Sequence, residues 1–202
     1  MTKPTLNERR GEELRLAIAM DARELFLADN NTSATVERIC ETAGVAPRTF
    51  HRHFAAKEDV VLPLLAQYGS LSVQLLRDAP AGADTAEALV TAFSGEVSRR
   101  AEFDIDRKFL ALMIADPQYR LRWLEWGQEL EPAITEYLAD RVDLDTDHFA
   151  RTLPAHMVIQ ICRQAYIHWA DTGDFQNLES SLRTGMRLVL RALRPSPELA
   201  SN

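Results

Sequence analysis

The chain has few of the residues that mark secreted, membrane-spanning or fibrous proteins. Its 202 residues include 2 cysteines, 8 glycines and 9 prolines, too few for a disulfide framework or a glycine-rich repeat. No uninterrupted apolar stretch approaches the roughly 18 residues that a membrane-spanning helix needs, and residues 1–14 lack the apolar segment of a secretory signal. Apolar residues nevertheless make up 46% of the chain. We therefore expect a soluble, cytoplasmic protein with a sizeable core and no membrane partner.

Acidic residues are missing from one short window of an otherwise acidic chain. The formal net charge is −7, and beyond residue 60 there are 14 basic and 20 acidic residues. Residues 42–57 contain no acidic residue, whereas Arg48, Arg52 and Lys57 are basic and His51 and His53 can become so. A cationic window on an acidic body is typical of a small DNA-binding module attached to a larger region, although a solvated surface gives the same pattern.

Apolar residues recur at three- and four-residue intervals along almost the whole chain, which indicates helices. Caps, glycines and prolines divide this pattern into predicted helices at residues 8–28, 36–43, 47–53, 57–76, 83–100, 104–115, 117–139, 146–171 and 174–193. We predict an all-α fold of about nine helices. A helix-turn-helix domain at residues 1–56 is expected to precede a larger helical domain at residues 57–195 and a disordered tail at residues 196–202.

Residues 36–54 follow the pattern of a helix-turn-helix module. Gly44 supplies the small residue at the turn, and Ile39, Phe50 and Phe54 have the spacing to face one apolar core. The polar residues of the second helix then remain on its outer side, where they could donate hydrogen bonds to DNA. The same pattern also occurs in helical hairpins that serve only packing.

Residues 35–59, TVERICETAGVAPRTFHRHFAAKED, resemble the DNA-binding signature of the TetR family of bacterial transcriptional regulators, T-V-x-x-I-A-x-x-A-G-V-S-x-x-T-x-Y-x-H-F-x-S-K-E. The matching positions are Thr35, Val36, Ile39, Ala43, Gly44, Val45, Thr49, His53, Phe54, Lys57 and Glu58. The length of the chain also fits, whereas the region after residue 60 resembles the family only in being helical. The resemblance implies a sequence-specific repressor that a small apolar molecule releases from operator DNA, with no catalytic activity and no cofactor.

Carried over position by position, the resemblance implies that a set of eight residues contacts DNA, namely Thr35, Pro47, Arg48, Thr49, His51, Arg52, His53 and Lys57. Arg48 is the first choice and Arg52 the second for reading a base, because a guanidinium can bond guanine O6 and N7 together. Thr35 and Lys57 are expected to contact phosphates, which adds affinity without specificity.

Among the departures from the signature, Cys40 in place of a common Ala is a variation of the core, and two others concern the DNA-binding surface and the helix that follows it. His51 stands where the family usually has Tyr, so an imidazole whose charge depends on pH replaces a phenol. Ala56 replaces the usual Ser cap, and the helix that follows is expected to be weaker by about 1 kcal/mol. Before the module, flexible basic residues could add contacts to phosphates or to the minor groove, namely Lys3, Arg9 and Arg10.

A single module contacts only a few base pairs, so two copies must be held about one helical turn, roughly 34 to 36 Å, apart on DNA. In the family, the last two helices of each subunit form a four-helix dimer interface. The apolar stripes that would form it here contain Leu153, Ile161, Leu178, Leu182, Met186, Val189 and Leu193. Packing within one subunit explains either stripe alone about as well, but together with the resemblance the two stripes favour a homodimer.

The predicted helix at residues 117–139 is apolar on more than one face, which is typical of a central helix. Gly127 and Pro132 lie in its middle and should kink it. Such a kink would leave room for a small-molecule effector in a cavity lined by Phe93, Phe109, Met113, Trp123, Trp126, Met157 and Tyr166. A filled core is the alternative for each of these residues. The effector is expected to move the module through the connecting helix, where Pro63 offers a bend.

Two other function classes stay open at this point. An enzyme is one, although the sequence lacks glycine-rich phosphate loops, nucleophile elbows and paired Cys motifs. His51 and His53 point away from each other on a helix and cannot share a metal ion without distortion. A metal site would therefore need residues scattered over the later helices, namely Glu125, Glu129, His148, His156, Cys162 and His168. The other class is a helical interaction protein that has lost DNA binding, which would leave the outward basic residues of the module unexplained.

Overall fold

The computed structural model describes residues 5–100 and 102–193, and these residues form an all-α fold, which confirms the predicted class. Ten α-helices follow one another in the described residues: α1 (Leu6–Asp29), α2 (Val36–Thr42), α3 (Pro47–His53), α4 (Leu62–Arg77), α5 (Thr85–Arg100), α6 (Phe103–Ala115), α7 (Pro117–Trp126), α8 (Glu131–Ala139), α9 (His148–Thr172) and α10 (Phe175–Leu190). Two 3-10 segments, Lys57–Val61 and Gly127–Leu130, precede α4 and α8. The predicted tail at residues 196–202 lies outside the described residues.

The α4 helix begins later than predicted. Residues Lys57–Val61 form a 3-10 helix, and regular α-helix starts only at Leu62. Ala56 offers no side-chain cap, but its N–H donates to the Asp59 carboxylate at 2.9 Å. Asp59 thus satisfies one of the backbone donors at this helix start, where the usual Ser cap is missing.

The long helix predicted at residues 117–139 is divided by the 3-10 segment Gly127–Leu130, and Pro132 lies in the first turn of α8. The break therefore occurs at the predicted kink. Its backbone is partly satisfied from α9, because the Arg163 guanidinium donates to the carbonyl of Leu124. The prediction of about nine helices agrees with the structure when α7 and α8 are taken as one interrupted helix.

The chain divides into two compact units. Among the described residues, the first unit contains 5–67 and 108–123, and the second contains 68–100, 102–107 and 124–193. The core of the first unit includes Phe26, Phe50 and Tyr119, all fully buried, and that of the second includes Trp169 and Leu182. The first unit therefore includes parts of α6 and α7 in addition to the predicted helix-turn-helix module.

Within the described residues, one segment, Lys57–Arg77, is long and apolar enough to cross a membrane by length and composition. This is weak evidence for a membrane span, since a core helix of a soluble protein passes the same test. The apolar residues at the start of the segment are packed inside the protein: Val60, Val61, Leu64 and Leu65 are each at most 4% exposed.

Candidate nucleic-acid interface

The turn between α2 and α3 depends on Gly44. Its φ is +64°, a left-handed conformation that glycine adopts without steric cost, and a Cβ added there would meet open space. The N–H of Val45 donates to the carbonyl of Cys40 at 3.0 Å, which closes the end of α2. Pro47 then occupies the first turn of α3, where its missing N–H would have no helical partner. The helix-turn-helix predicted at these residues is therefore present.

The two sides of α3 have opposite character. Phe50 is fully buried and packs against Phe54, with ring centroids 4.9 Å apart. On the other side, Arg48, His51 and Arg52 are exposed. The exposed side of α3 therefore presents two guanidiniums and an imidazole to solvent, a surface that can donate hydrogen bonds to base edges and phosphates.

The remaining predicted contact residues lie at the ends of α3 and its neighbours. Pro47 is exposed and Thr49 is half-buried in the first turn of α3. The exposed Thr35 is the N-cap of α2, where its hydroxyl accepts from the N–H of Arg38 at 3.3 Å. Lys57 is half-buried, and its Nζ donates to the carbonyl of Thr32 at 3.4 Å. The Lys57 ammonium therefore also holds the loop between α1 and α2.

His53 differs from the exposed residues of α3. It is half-buried and lies beside α1, where a Cβ added to Gly11 would come within 3.8 Å of its ring. Burial lowers the pKa of the His53 imidazole, and the positive charges of Arg52 and Arg15 lower it further. The His53 ring therefore packs toward α1 and is less exposed than Arg48, His51 and Arg52.

Two features near this surface were missed by the sequence analysis. Arg9 and Arg10 belong to the helical start of α1 rather than to a flexible arm, since α1 begins at Leu6 behind the N-cap Thr5; Lys3 lies outside the described residues.

Glu37, in the first turn of α2, adds a carboxylate close to His51. Its own backbone N–H and the Thr35 hydroxyl lower the pKa of Glu37, and the charge of His51 contributes. The N-capping position of Thr35 was the available signal.

Helix α7 contacts the helix-turn-helix module through the loop before α2 and through α1. The Thr32 hydroxyl donates to the Asp116 carboxylate at 2.7 Å, and Asp116 also accepts from the N–H of Gln118 at the start of α7. The rings of Phe26 and Tyr119 pack edge to face with centroids 5.4 Å apart. These contacts hold the loop before α2 on the N-terminus of α7. The sequence signal for them was the Asp-Pro pair at residues 116–117, which marks a helix start.

Among residues 5–100 and 102–193, no group of three or more His, Cys, Asp or Glu side chains could hold a metal ion. Cys40 and Cys162 are free and buried, and burial raises the pKa of both thiols.

Sequence comparisons agree with this geometry. Residues 20–64 match the model of bacterial regulatory proteins of the tetR family, and residues 83–194 match that of the MftR C-terminal domain. The HTH-type transcriptional regulator TcmR of Streptomyces glaucescens is 31% identical over 203 residues, which covers 95% of this chain and 88% of that protein. The chain belongs to the TetR family. It is therefore a DNA-binding transcriptional regulator and not an enzyme.

Solved structures show the same TetR-family fold at low sequence identity. GusR of Salmonella enterica superposes with a TM-score of 0.62 at 16% identity, over 89% of this chain and 96% of that chain. FadR of Thermus thermophilus, solved in complex with lauroyl-CoA, superposes with a TM-score of 0.57 at 23% identity, over 87% of this chain and 93% of that chain.

The residues predicted to line one effector cavity are divided between the two units of this TetR-family chain. Phe109, Met113 and Trp123 belong to the first unit, whereas Phe93, Trp126, Met157 and Tyr166 belong to the second. Phe109 and Met113 are core residues at 2% exposure, and the Arg23 guanidinium lies 6.0 Å from the Phe109 ring centroid. Within the second unit, Tyr166 donates to the carbonyl of Phe93 at 2.5 Å.

The other two predicted effector residues of the second unit have different surroundings. Trp126 lies against α4 at Gly69, where its indole occupies the space that a Cβ would need. Met157 is 42% exposed and lines an open groove between α9 and α10. Within the predicted set, Phe93 and Tyr166 are joined by a hydrogen bond.

A buried polar network adjoins Phe93 and Tyr166. Glu96 is 5% exposed and forms an ion pair with Arg100, and Arg100 also bonds Asp106 at 2.9 Å. Tyr166 bonds Glu96 at 3.2 Å, and the Arg100 guanidinium stacks on Tyr68 at 3.8 Å from the ring centroid. Burial raises the pKa of the Glu96 carboxyl despite the neighbouring Arg100. The helical pattern of the sequence does not mark Glu96, Arg100 or Asp106, so this network was not predicted.

The predicted dimer stripe is only partly exposed. Leu178, Leu182 and Met186 are completely buried inside the chain, where α10 packs on α5 and α9. Val189 is 5% exposed, and Leu193 lies beyond the end of α10. These residues of α10 serve the core of the subunit, because the helix turns them toward its own neighbours.

Two exposed apolar residues, Met157 of α9 and Leu188 of α10, line a groove between the two helices. Leu153 is 41% exposed and Leu188 is 71% exposed. The groove has a volume of about 620 Å³ and is lined by Met157, Ile161, Leu188 and Val189 among others. We call it the α9–α10 groove. The helices approach closely at its base, since a Cβ added to Gly185 would collide with the Ile161 side chain.

Proposed function

We propose that the chain is a homodimeric repressor that leaves its operator when a small, largely apolar effector binds the second unit. The observation that carries the DNA-binding part is the exposed row of Arg48, His51 and Arg52 above the fully buried Phe50. A rigid helix with this surface fits the major groove, where guanidiniums can read guanine. Arg48, in the first turn of α3, is the base-reading residue, and Arg52 is the second.

The α9–α10 groove supports the homodimer. Soluble proteins seldom leave large apolar side chains exposed together, and such patches mark interaction sites. Here Met157 and Leu188 are 42% and 71% exposed beside Ile161. A second copy of the same two helices would cover them, and two modules could then reach successive turns of the duplex.

The second unit supports the effector part of the proposal. Phe93 and Tyr166 meet in it next to the Glu96–Arg100 ion pair, so apolar surface and hydrogen-bonding groups converge there. FadR of Thermus thermophilus, which has the same fold, was solved with lauroyl-CoA, an acyl compound with a long apolar chain. We propose that an effector of mainly apolar character binds the second unit and that the cytoplasm is its site of action.

The DNA-binding part is tested with genomic fragments. Footprinting first identifies the operator, and gel shifts over a salt series then compare variants. Arg48→Ala should weaken operator binding by about 1 to 3 kcal/mol and relax the preference at one base pair, whereas Lys57→Ala should weaken all sequences alike. Arg120→Ala, an exposed arginine on α7, is the matched control and should leave binding unchanged. Equal behaviour of the Arg48 and Arg120 variants would contradict the assignment.

The dimer and the effector are tested separately. Leu188→Glu should shift the protein from dimer to monomer in analytical ultracentrifugation and abolish tight operator binding, while Ile105→Glu, at an exposed apolar residue of α6, should not. A thermal-shift screen with apolar compounds should find ligands that also weaken operator binding by about 5- to 150-fold. Ligands that raise the melting temperature but leave operator affinity unchanged would contradict the release mechanism.

The pH dependence of DNA binding tests whether His51 contacts a phosphate. Lowering the pH from about 8 to 6 should tighten binding if the exposed His51 meets a phosphate, because an imidazolium is attracted to it. His51→Gln should remove this pH dependence, and its persistence in that variant would exclude His51 as the cause.

A further inference from the structure

A second cationic site lies in the second unit, among the start of α5, the end of α8 and the end of α10. A pocket of about 300 Å³ is formed there by residues that include Thr85, Arg141, Arg187 and Arg191. Its volume is at the lower end of the range for small-molecule sites. No part of the proposed DNA or effector mechanism uses these residues.

The charges in and beside this pocket are mostly positive, although the chain as a whole carries −7. Three of its described lining residues are arginines and one, Asp84, is acidic. The Asp84 carboxylate is engaged at the start of α5, where it accepts from the N–H of Glu87 at 2.9 Å. Glu87 itself pairs with Arg183 and Arg187, each at 2.9 Å. The described carboxylates therefore do not balance the arginines, and Arg141 and Arg191 have none within ion-pair distance.

Contacts with Tyr137 hold the Arg141 guanidinium in one orientation. The guanidinium stacks on the Tyr137 ring at 3.9 Å from the centroid, and its Nη1 donates to the carbonyl of Tyr137 at 3.0 Å. Its Nε is buried and has no hydrogen-bond partner among the described residues. A planar guanidinium with fixed orientation and unused donors is well suited to carboxylate or phosphate groups, which it binds through paired hydrogen bonds.

The other walls of the pocket are apolar. Ala86, Val142, Leu190 and Leu193 complete the described lining. A bare inorganic ion would leave this surface uncovered, whereas an anion attached to a short apolar group would cover it and gain from its burial.

We propose that this pocket binds a small organic anion, with a phosphate or carboxylate group at Arg141 and Arg191 and a short apolar group against Val142 and Leu190. A phosphate monoester is preferred over a carboxylate, because Arg187 is already paired with Glu87 and a doubly charged group interacts more strongly with the remaining guanidiniums of Arg141 and Arg191. The concave shape and small volume favour a molecule of this size over a nucleic-acid duplex.

Calorimetric titration of the full-length chain with phenyl phosphate at constant ionic strength tests the proposal. Phenyl phosphate should bind more tightly than phenylacetate or inorganic phosphate, and benzyl alcohol, which has no charge, should not bind. Arg191→Gln and Arg141→Gln should each weaken phenyl phosphate binding by about tenfold or more. Arg151→Gln removes an exposed arginine of α9 outside the pocket and should leave the affinity unchanged.

Folding effects are separated from binding effects by the choice of variants. Arg141→Gln also loses the stacking on Tyr137, so Arg191→Gln, at an exposed residue beyond the end of α10, carries the decision if the Arg141 variant does not fold. Absence of binding to the wild-type chain at millimolar phenyl phosphate, or an equal loss in Arg151→Gln, would overturn the proposal. So would a loss of duplex DNA binding in Arg191→Gln as large as that in Arg48→Ala, which would assign the surface to DNA.

Discussion

Helices α3 and α10 present opposite surfaces, and the sequence determines them to different degrees. In α3 the single large apolar residue, Phe50, is fully buried, and Arg48, His51 and Arg52 on the other side face outward. In α10 apolar residues occupy more than one face: Leu182 is fully buried and Leu188 is 71% exposed. A short helix with one apolar side has one possible orientation toward its core. A helix with two apolar sides has two possible orientations, and only tertiary packing selects between them.

The two units also differ in where their charges lie. The first unit holds the Arg38–Asp29 ion pair near its surface and leaves Arg48 and Arg52 exposed. The second unit encloses Glu96 and Asp106 around Arg100. Surface pairs contribute little to stability, whereas removal of one member of a buried pair leaves a charge without compensation. Mutations of arginine are therefore expected to have different consequences in the two units.

The largest effect is expected from Arg100→Met. It leaves two buried carboxylates without their cation, and we expect the free energy of unfolding to fall by about 3 to 5 kcal/mol, measured by urea denaturation. Arg99→Met, at the exposed neighbouring position on α5, should change it by less than about 0.5 kcal/mol. If both variants lost the same small amount, the buried network would not contribute as its geometry implies, and the contrast between the units would fail.

Next in size is the comparison of Leu182→Ala with Leu188→Ala, which measures the two apolar faces of α10 separately. Leu182 is fully buried, so its truncation should cost about 2 to 5 kcal/mol of unfolding free energy in a monomeric background such as Leu188→Glu. Leu188→Ala should leave the stability of the monomer nearly unchanged and weaken dimerisation instead, as measured by analytical ultracentrifugation. A dimer unaffected by Leu188→Ala would mean that this exposed face has another partner.

The sequence predicted the parts of the molecule in which local chemistry and tertiary structure agree. Gly44 at the turn, Pro47 at the start of α3 and the buried Phe50 each have one plausible local role, and all three appear where they were predicted. The break at Gly127 was predicted for the same reason. These residues constrain the backbone directly.

Long-range contacts were not predictable in the same way. The Thr32–Asp116 bond joins residues 84 positions apart, and the pairing of Arg100 of α5 with Asp106 of α6 is likewise a contact that no periodicity describes. Leu178 was assigned to the dimer stripe because it shares a helical line with Val189, although α10 turns it into its own core. Helical spacing shows which residues share a face, but it does not show what that face packs against.

The smallest expected effect is the pH dependence that the half-buried His53 gives to the free energy of unfolding. Burial beside α1 and the charges of Arg52 and Arg15 lower the pKa of His53 below 6.5, its ordinary value, while Gly11 adds no charge. The unfolded chain therefore takes up a proton first, and the contribution of His53 to stability is complete above about pH 6.5 and declines as the pH falls below it. Urea denaturation at several pH values should show this decline in the wild type and a flatter profile in His53→Gln. Arg15→Gln should flatten it partly, since one of the two neighbouring cations remains, and an identical decline in His53→Gln and wild type would show that His53 is not its source.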